Sequence, residues 1–248
     1  MGSAVKGQPK MIFRPLASSS AGNAYVVESP GSPPLLLEAG ISVRRLRETL
    51  NFGLSGLAGC LVSHSHGDHS KGVKDLLKAG VDCWMSKGTA EALEVQGHHR
   101  LNILRAYEGA NVGDWGIMPF PVEHDADEAL GFLVGHIDAG YTDRLLFVPD
   151  TAFVRNRFEG VNLIAIECNF DPDRLSRNVQ AGLHPSVAHR VRRMHMSLDT
   201  VIAMLKANDL SKTRAIYLLH LSSGNSDEAR MIRSVEEATG IPTYSCDE

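Results

Sequence analysis

The stretch Leu61 to Gly72, LVSHSHGDHSKG, places His64, His66, Asp68 and His69 within six consecutive residues. Imidazole nitrogens and a carboxylate oxygen in one place suit zinc, and also manganese or iron. The residues leading into it, Leu57 to Ser63, are short and apolar and read as a buried strand. Side chains two apart on an extended chain share a face, so His64 and His66 are expected to grip one ion together. Gly67 lets the chain turn sharply, which aims Asp68 and His69 at a second position. A lone histidine is ordinarily a hydrogen-bonding residue, but four potential ligands behind one apolar strand read as half of a metal site.

The elements that must position these residues follow from the apolar pattern. Met11 to Leu16, Ala24 to Glu28 and Leu35 to Glu38 read as short strands, separated by the turn-rich segments SSSAGN and SPGSPP. Ser42 is placed to cap a helix running to about Leu50, with Val43, Leu46 and Leu50 on its buried face. Beyond the histidine loop, Lys71 to Ala79 reads as a helix stopped by Gly80, Val81 to Met85 as a strand, and Gly88 to Val95 as a helix. The adjacent pair His98 and His99 has no matching ligand spacing and reads as surface. A strand from Ile117 to Glu123 leads to His124, and Ala129 to Ile137 with Arg144 to Val148 read as hairpin strands joined by Asp138 to Asp143. Leu163 to Glu167 is another apolar strand. The segment Asp171 to Met194 reads as basic and irregular, with Arg174, Arg177, Arg190, Arg192 and Arg193. Helix Leu198 to Ala207, strand Ala215 to Leu219, helix Ser226 to Ala238 closed by Gly240, and strand Thr243 to Ser245 follow. Residues 1–10 read as a flexible tail and 11–248 as a single α/β domain, two facing sheets with helices outside.

His124, Asp150 and His220 each follow an apolar strand, where side chains from different strands converge at one edge of a sandwich. Singly, a strand-end His or Asp is a turn former. With the first motif they complete a set, and that set carries a resemblance. The segments LASSSAGNAYVV, LLLEAGIS, LVSHSHGDHSKGV, IECNFDPDRL, HMSLDT and LLHLSSGNSD resemble the metallo-β-lactamase-fold hydrolases. Within them they are most similar to the WalJ-like and phage anti-Pycsar cyclic-nucleotide phosphodiesterase group, related to the tRNA 3′-processing endonucleases. The resemblance runs from Phe13 to Ser226 and implies the αββα four-layer sandwich of the metallo-β-lactamase fold. It implies two divalent ions, zinc first and manganese as the alternative. His64, His66 and His124 would hold the first, Asp68, His69 and His220 the second, and Asp150 both. It implies a catalytic part for Asp68, a proton-donor pair in His195 and Glu167, and a homodimer. Ser197 reads separately as the N-cap of the following helix, whose amide end favours phosphate. Glu38 departs from the pattern: many relatives carry Asp there, and the extra methylene alters the hydrogen bonding around the ligands.

The reaction this set implies is hydrolysis of a phosphodiester by a hydroxide held between two cations. A net charge of −4 argues against a broad surface for duplex nucleic acid. A cyclic mononucleotide is therefore the expected substrate, with a phage anti-defence role implied by the resemblance. A nuclease, exo- or endonucleolytic on DNA or RNA and using the arginine-rich 174–193 stretch, is the alternative; a metal-stabilised nucleotide-binding sensor is the non-enzymatic one. A thioesterase of the glyoxalase type would need a helical region behind His220, where little chain follows. Hydrophobic residues at 43% and charged ones at 22% fit a globular chain. Cys60, Cys83, Cys168 and Cys246 are scattered and are expected to be reduced. No apolar run approaches the ~20 residues that span a bilayer, so a cytoplasmic location without membrane partners is expected.

Overall fold

The computed structural model describes residues 11–51, 53–136 and 143–246. The expected tail at 1–10 and most of the expected connection from Asp138 to Asp143 lie outside them. Two sheets organise the chain. The first runs β1 (Ile12–Ala17), β2 (Ala24–Glu28), β3 (Leu35–Leu37), β4 (Gly59–Leu61), β5 (Cys83–Ser86) and β6 (Leu101–Leu104) in that spatial order. Its first three strands are antiparallel neighbours, and from β3 onward the pairing is parallel. The second sheet runs from β7 (Ala110–Val112) through β8 (Trp115–Pro121), β9 (Leu130–His136), β10 (Arg144–Val148), β11 (Leu163–Glu167) and β12 (Ala215–Leu219) to β13 (Thr243–Ser245). There the pairing is antiparallel up to β10 and parallel beyond it.

The central strands β3, β4, β10, β11 and β12 are apolar along most of their length because both of their faces are covered. Along β3, Leu35 and Leu37 point into the space between the sheets while Leu36 points outward, and along β10 Leu145 and Phe147 point inward while Leu146 and Val148 point outward. The inner layer joins the two sheets through Tyr25, Leu61, Trp115 and Phe132. Outside the first sheet, helices α1 (Val43–Thr49) and α3 (Val73–Lys78) cover Leu36 and Cys60 with Leu46, Leu76 and Leu77. Between them lies the single turn α2 (Gly67–Ser70), and α4 (Lys87–Ala92) follows β5. Outside the second sheet, α7 (Leu198–Lys206) and α8 (Glu228–Thr239) bury Val201, Leu205, Met231 and Val235 against Ile164, Ile166 and Ile216. Three stacked apolar layers between helix, sheet, sheet and helix are the αββα sandwich.

The stretch from Asp171 to Met194 is not irregular. It forms α5 (Pro172–Gln180) and α6 (Pro185–Met194). Each has a start signal: Asp171 caps the Asp173 amide ahead of Pro172, and His184 caps the Ser186 amide ahead of Pro185. The arginines hid the helices because little of either is buried, only Leu175 and Ala188 being fully so. The strands β6 and β7 also went unread; each has three or four residues and depends on its neighbour for pairing. The four cysteines are buried and free. Among the described residues, no helix is long and apolar enough to cross a membrane.

Candidate metal centre

The chain brings the polar residues to one rim of the sandwich. His64 lies three residues past β4, on backbone that still pairs with the neighbouring strand through the Val62 amide and the Trp84 carbonyl, 2.9 Å apart. His66 opens α2, which carries Asp68 and His69. This turn is seated tightly: the Asn23 amide donates to the Asp68 carbonyl at 2.7 Å, and a Cβ on Gly40 would lie 1.7 Å from that carbonyl oxygen. Glycine is required at position 40 by this approach. Asp150 follows β10, Glu167 ends β11, and His220 directly follows β12. His124 lies three residues past the end of β8. His220 takes a left-handed backbone, φ 53, held by its amide donating to the Ser18 hydroxyl and its carbonyl accepting from Asn169. A non-glycine residue kept there marks backbone strain spent on aiming a side chain.

His64, His66 and His124 form one group of convergent ligand atoms. The Nδ1 of His64 is satisfied by the Ser63 hydroxyl at 2.8 Å, and its buried Nε2 has no hydrogen-bond partner. His124 is oriented likewise, with Nδ1 donating to the Met194 carbonyl at 3.0 Å. That bond turns its Nε2 toward Nδ1 of His66, 3.2 Å away. Two imidazole nitrogens on one tetrahedral zinc sit about 3.3 Å apart, given Zn–N bonds of about 2.05 Å. Burial, backed by the charge of His69, holds the His64 imidazole well below its usual pKa, and burial lowers His124 against the pull of Asp150. Both are thus neutral, as ligands must be.

Asp68, His69, Asp150 and His220 form the second group. The Nε2 of His69 has Asp68 Oδ2 at 3.5 Å and Asp150 Oδ1 at 3.4 Å, spacings of co-ligands rather than of hydrogen bonds. His220 Nδ1 bonds Asp150 Oδ1 at 2.6 Å, and its Nε2 lies 3.7 Å from Asp68 Oδ2. Burial opposes protonation of His69 and His220, yet Asp150 outweighs it and raises both. Burial would raise Asp150 too, but His220 and His69 hold it well below the usual carboxylate range. This balance marks a local surplus of negative charge that a cation would meet. Behind the group, Glu38 is fully buried with φ 66, accepts the Ser63 amide at 3.3 Å, and sits 3.6 Å from Nδ1 of His69. Its Oε1 and that Nδ1 have no hydrogen-bond partner. Buried polar atoms left this way, within two clusters of imidazoles and carboxylates, fit a pair of divalent ions. Asp150 stands with the second group and is not among the ligand atoms of the first.

The third convergence is Asp150, Glu167, His195 and His220. Glu167 is buried, and its Oε2 accepts the amides of Thr151 at 2.8 Å and Met196 at 3.1 Å, while Oε1 bonds Nδ1 of His195. Burial, then the charge of Asp150, pushes the Glu167 carboxyl up. Burial opposes the His195 proton, but the charge of Glu167 and the bond to it carry the imidazole up to about 9. With Nδ1 committed to Glu167, His195 presents its other nitrogen to the cavity. The HMSLDT segment is pinned there by the Asn169 amide on the Met196 carbonyl and the Leu198 amide on the Phe170 carbonyl, each at 3.0 Å.

The three groups meet at a cavity of about 340 Å³ whose lining includes His66, Asp68, His124, Asp150, His195 and His220. Ser197 does not line it. Its hydroxyl accepts the Thr200 amide at 3.2 Å, capping α7. Sequence reasoning missed Asp125, which lies 3.4 Å from His124 Nε2 and 3.6 Å from His66 Nε2; Arg190, read there only as part of the basic stretch, is 3.9 Å from Asp125. It also missed Asn23, whose amide nitrogen reaches Asp68 Oδ2 at 3.3 Å and His69 Nε2 at 3.1 Å. Adjacency to His124 was the available signal for Asp125; Asn23 offered only a turn-rich context.

Comparison with known proteins agrees with this geometry. The chain is 29% identical over 251 residues to exodeoxyribonuclease YycJ of Bacillus anthracis, covering 92% of this chain and 90% of that one. It is 28% identical over 232 residues to exodeoxyribonuclease WalJ of Streptococcus pneumoniae, covering 85% and 81%. The fold is that of the metallo-β-lactamase fold protein YhfI from Bacillus subtilis, with a TM-score of 0.70 at 14% identity over 95% and 96% of the two chains. A family model described as the beta-lactamase superfamily domain matches residues 35–221. The chain therefore belongs to the beta-lactamase superfamily, as a hydrolase of the metallo-β-lactamase fold.

Proposed function

We propose that this protein is a metal-dependent phosphodiesterase acting on a polynucleotide strand. The observation that carries the reading is the two ligand clusters and the His195–Glu167 pair opening onto one cavity, with the arginine-bearing α6 forming its wall. Two divalent cations held there, zinc on the nitrogen-rich side and zinc or manganese on the carboxylate side, would lower the pKa of water and offset charge developing at phosphorus. His64, His66 and His124 would hold the first, and Asp68, His69, Asp150 and His220 the second. His195, kept protonated by Glu167, donates to the departing oxygen, and Asn23 fixes the Asp68 and His69 side chains. Arg190 at the rim attracts the substrate phosphates.

The likeness to two proteins named exodeoxyribonucleases, over most of both chains, favours a polynucleotide over a cyclic mononucleotide. The cavity volume of about 340 Å³ also suits one nucleotide, which supports the cyclic mononucleotide as second reading. One preparation, loaded with zinc or manganese, decides between them. End-labelled oligodeoxynucleotides should be shortened and should bind less tightly as salt rises. Turnover of cyclic mononucleotides alone would reverse the order, and loss of neither activity in Asp150→Ala would end the enzymatic reading. Sedimentation of the same sample tests the homodimer.

A further inference from the structure

The cavity at the metal centre does not end there. It shares His124, Asp125 and Met194 with a neighbouring cavity of about 450 Å³, and that one shares Phe153 and Arg155 with a third of about 520 Å³ beside α7. The three adjoin in series, a segmented cleft whose neighbouring parts share these lining residues. At its middle stands Phe153, 50% exposed. A single exposed apolar residue needs no explanation by itself. Here, however, the ring is carried on a loop whose backbone is pinned. The Thr151 hydroxyl accepts the Phe153 amide at 3.3 Å and donates to the Phe153 carbonyl at 2.9 Å, while the Thr151 amide is bonded to buried Glu167. The Ala152 amide bonds the Glu123 carbonyl at 2.9 Å, and Val154 and Phe158 are buried on either side of the exposed stretch. The backbone that carries the ring is thus fixed, and it is tied through the Thr151 amide to the carboxylate that supports His195.

Charge completes the pattern. Arg193 lines the middle cavity, and among the described residues its guanidinium has no ion pair or hydrogen bond. Arg155, which lines the same cavity, is held by Glu123 at 2.9 Å. An exposed ring with arginines in the same cavity wall, beside a phosphodiesterase centre, is the combination that binds single-stranded nucleic acid, bases stacking while cations follow the phosphates. We propose that this cleft carries a single strand of nucleic acid out of the metal centre, with Phe153 as its stacking platform and Arg193 as a phosphate contact. The proposal rests on the polynucleotide reading above.

The test compares Phe153→Ala, Phe153→Tyr and Arg193→Ala with the parent, all metal-loaded. A labelled deoxythymidine oligonucleotide and the small diester bis(p-nitrophenyl) phosphate serve as substrates. Phe153→Ala should raise KM for the oligonucleotide about 5- to 100-fold, the range for loss of one base–aromatic stack. Its turnover of the small diester should not change, and Phe153→Tyr should restore oligonucleotide KM. Arg193→Ala should flatten the salt dependence of oligonucleotide binding by about 0.7 in log–log slope, one single-strand phosphate contact. If the parent degrades the oligonucleotide and neither Ala variant alters its KM or salt slope, the strand path is wrong while the function stands. If Phe153→Ala loses both substrates equally, the loop only props up the metal centre and the proposal falls. If the parent degrades no oligonucleotide at all, the function reading and the strand path fail together.

Discussion

Stripping the divalent cations should destabilise the protein by an amount the site itself sets. His64 Nε2, His69 Nδ1 and Glu38 Oε1 are buried without hydrogen-bond partners. Each such group costs about 1–3 kcal/mol when nothing satisfies it. Around them Asp68, Asp150 and His220 converge, with only the imidazoles to balance the carboxylates. An ion bound to the folded chain and not to the unfolded one, at a free concentration near 100 times its dissociation constant, stabilises by about 2.7 kcal/mol. For a chain of this length 1 kcal/mol moves Tm by about 2–4 °C, so occupancy of one cluster should be worth about 5–10 °C. The assay is thermal unfolding of the metal-loaded protein before and after chelation, with metal content measured on the same samples. His64→Ala, which removes a ligand from the first cluster alone, should keep part of the shift. Metal loss with no change in Tm would refute the claim that these clusters are metal sites.

Three further outcomes are expected. His195→Ala should lower kcat on an oligonucleotide about 10²- to 10⁴-fold, as loss of a general acid does, and lower it far less on bis(p-nitrophenyl) phosphate, whose leaving group needs no proton; equal losses on both substrates would make His195 a structural or metal-binding residue. Glu38→Gln should weaken metal binding about 10- to 100-fold, because the acceptor nearest His69 Nδ1 loses its charge, and titration against a chromophoric chelator reads this directly. Ser197→Ala should cost about 1 kcal/mol in denaturant unfolding through its lost cap, with KM unaltered; a raised KM would restore the phosphate contact expected from sequence.

The legible part of this protein is the part written locally. His64, His66, Asp68 and His69 are neighbours in sequence, and a strand followed by a glycine turn is enough to aim them. His124, Asp150 and His220 could be found because each follows an apolar strand, and the layered burial of Leu35 to Leu37 or Leu145 to Val148 leaves strand ends as the places where polar side chains can meet. The arginine-rich helices escaped notice for the converse reason. α5 and α6 bury one residue apiece, so their apolar period is faint, and only the pairs Asp171-Pro172 and His184-Pro185 announced them.

What sequence could not supply is the difference between a side chain that ends a local motif and one that reaches across the fold. Ser197 has the form of a phosphate-binding cap, yet its hydroxyl is consumed by Thr200, and the cavity is walled instead by α6. Asn23 lies 45 residues from Asp68 and still sets its orientation, through a contact that exists only because Gly40 lets two backbones touch. Phe153 shows the same dependence. In sequence it is the middle of the apolar run Ala152 to Val154, and only the fold shows that it stands exposed at the cavity wall while Val154 is buried. Substrate choice in such a protein is therefore written in residues that hold no metal, and it is read from which of them the fold leaves standing in the cleft.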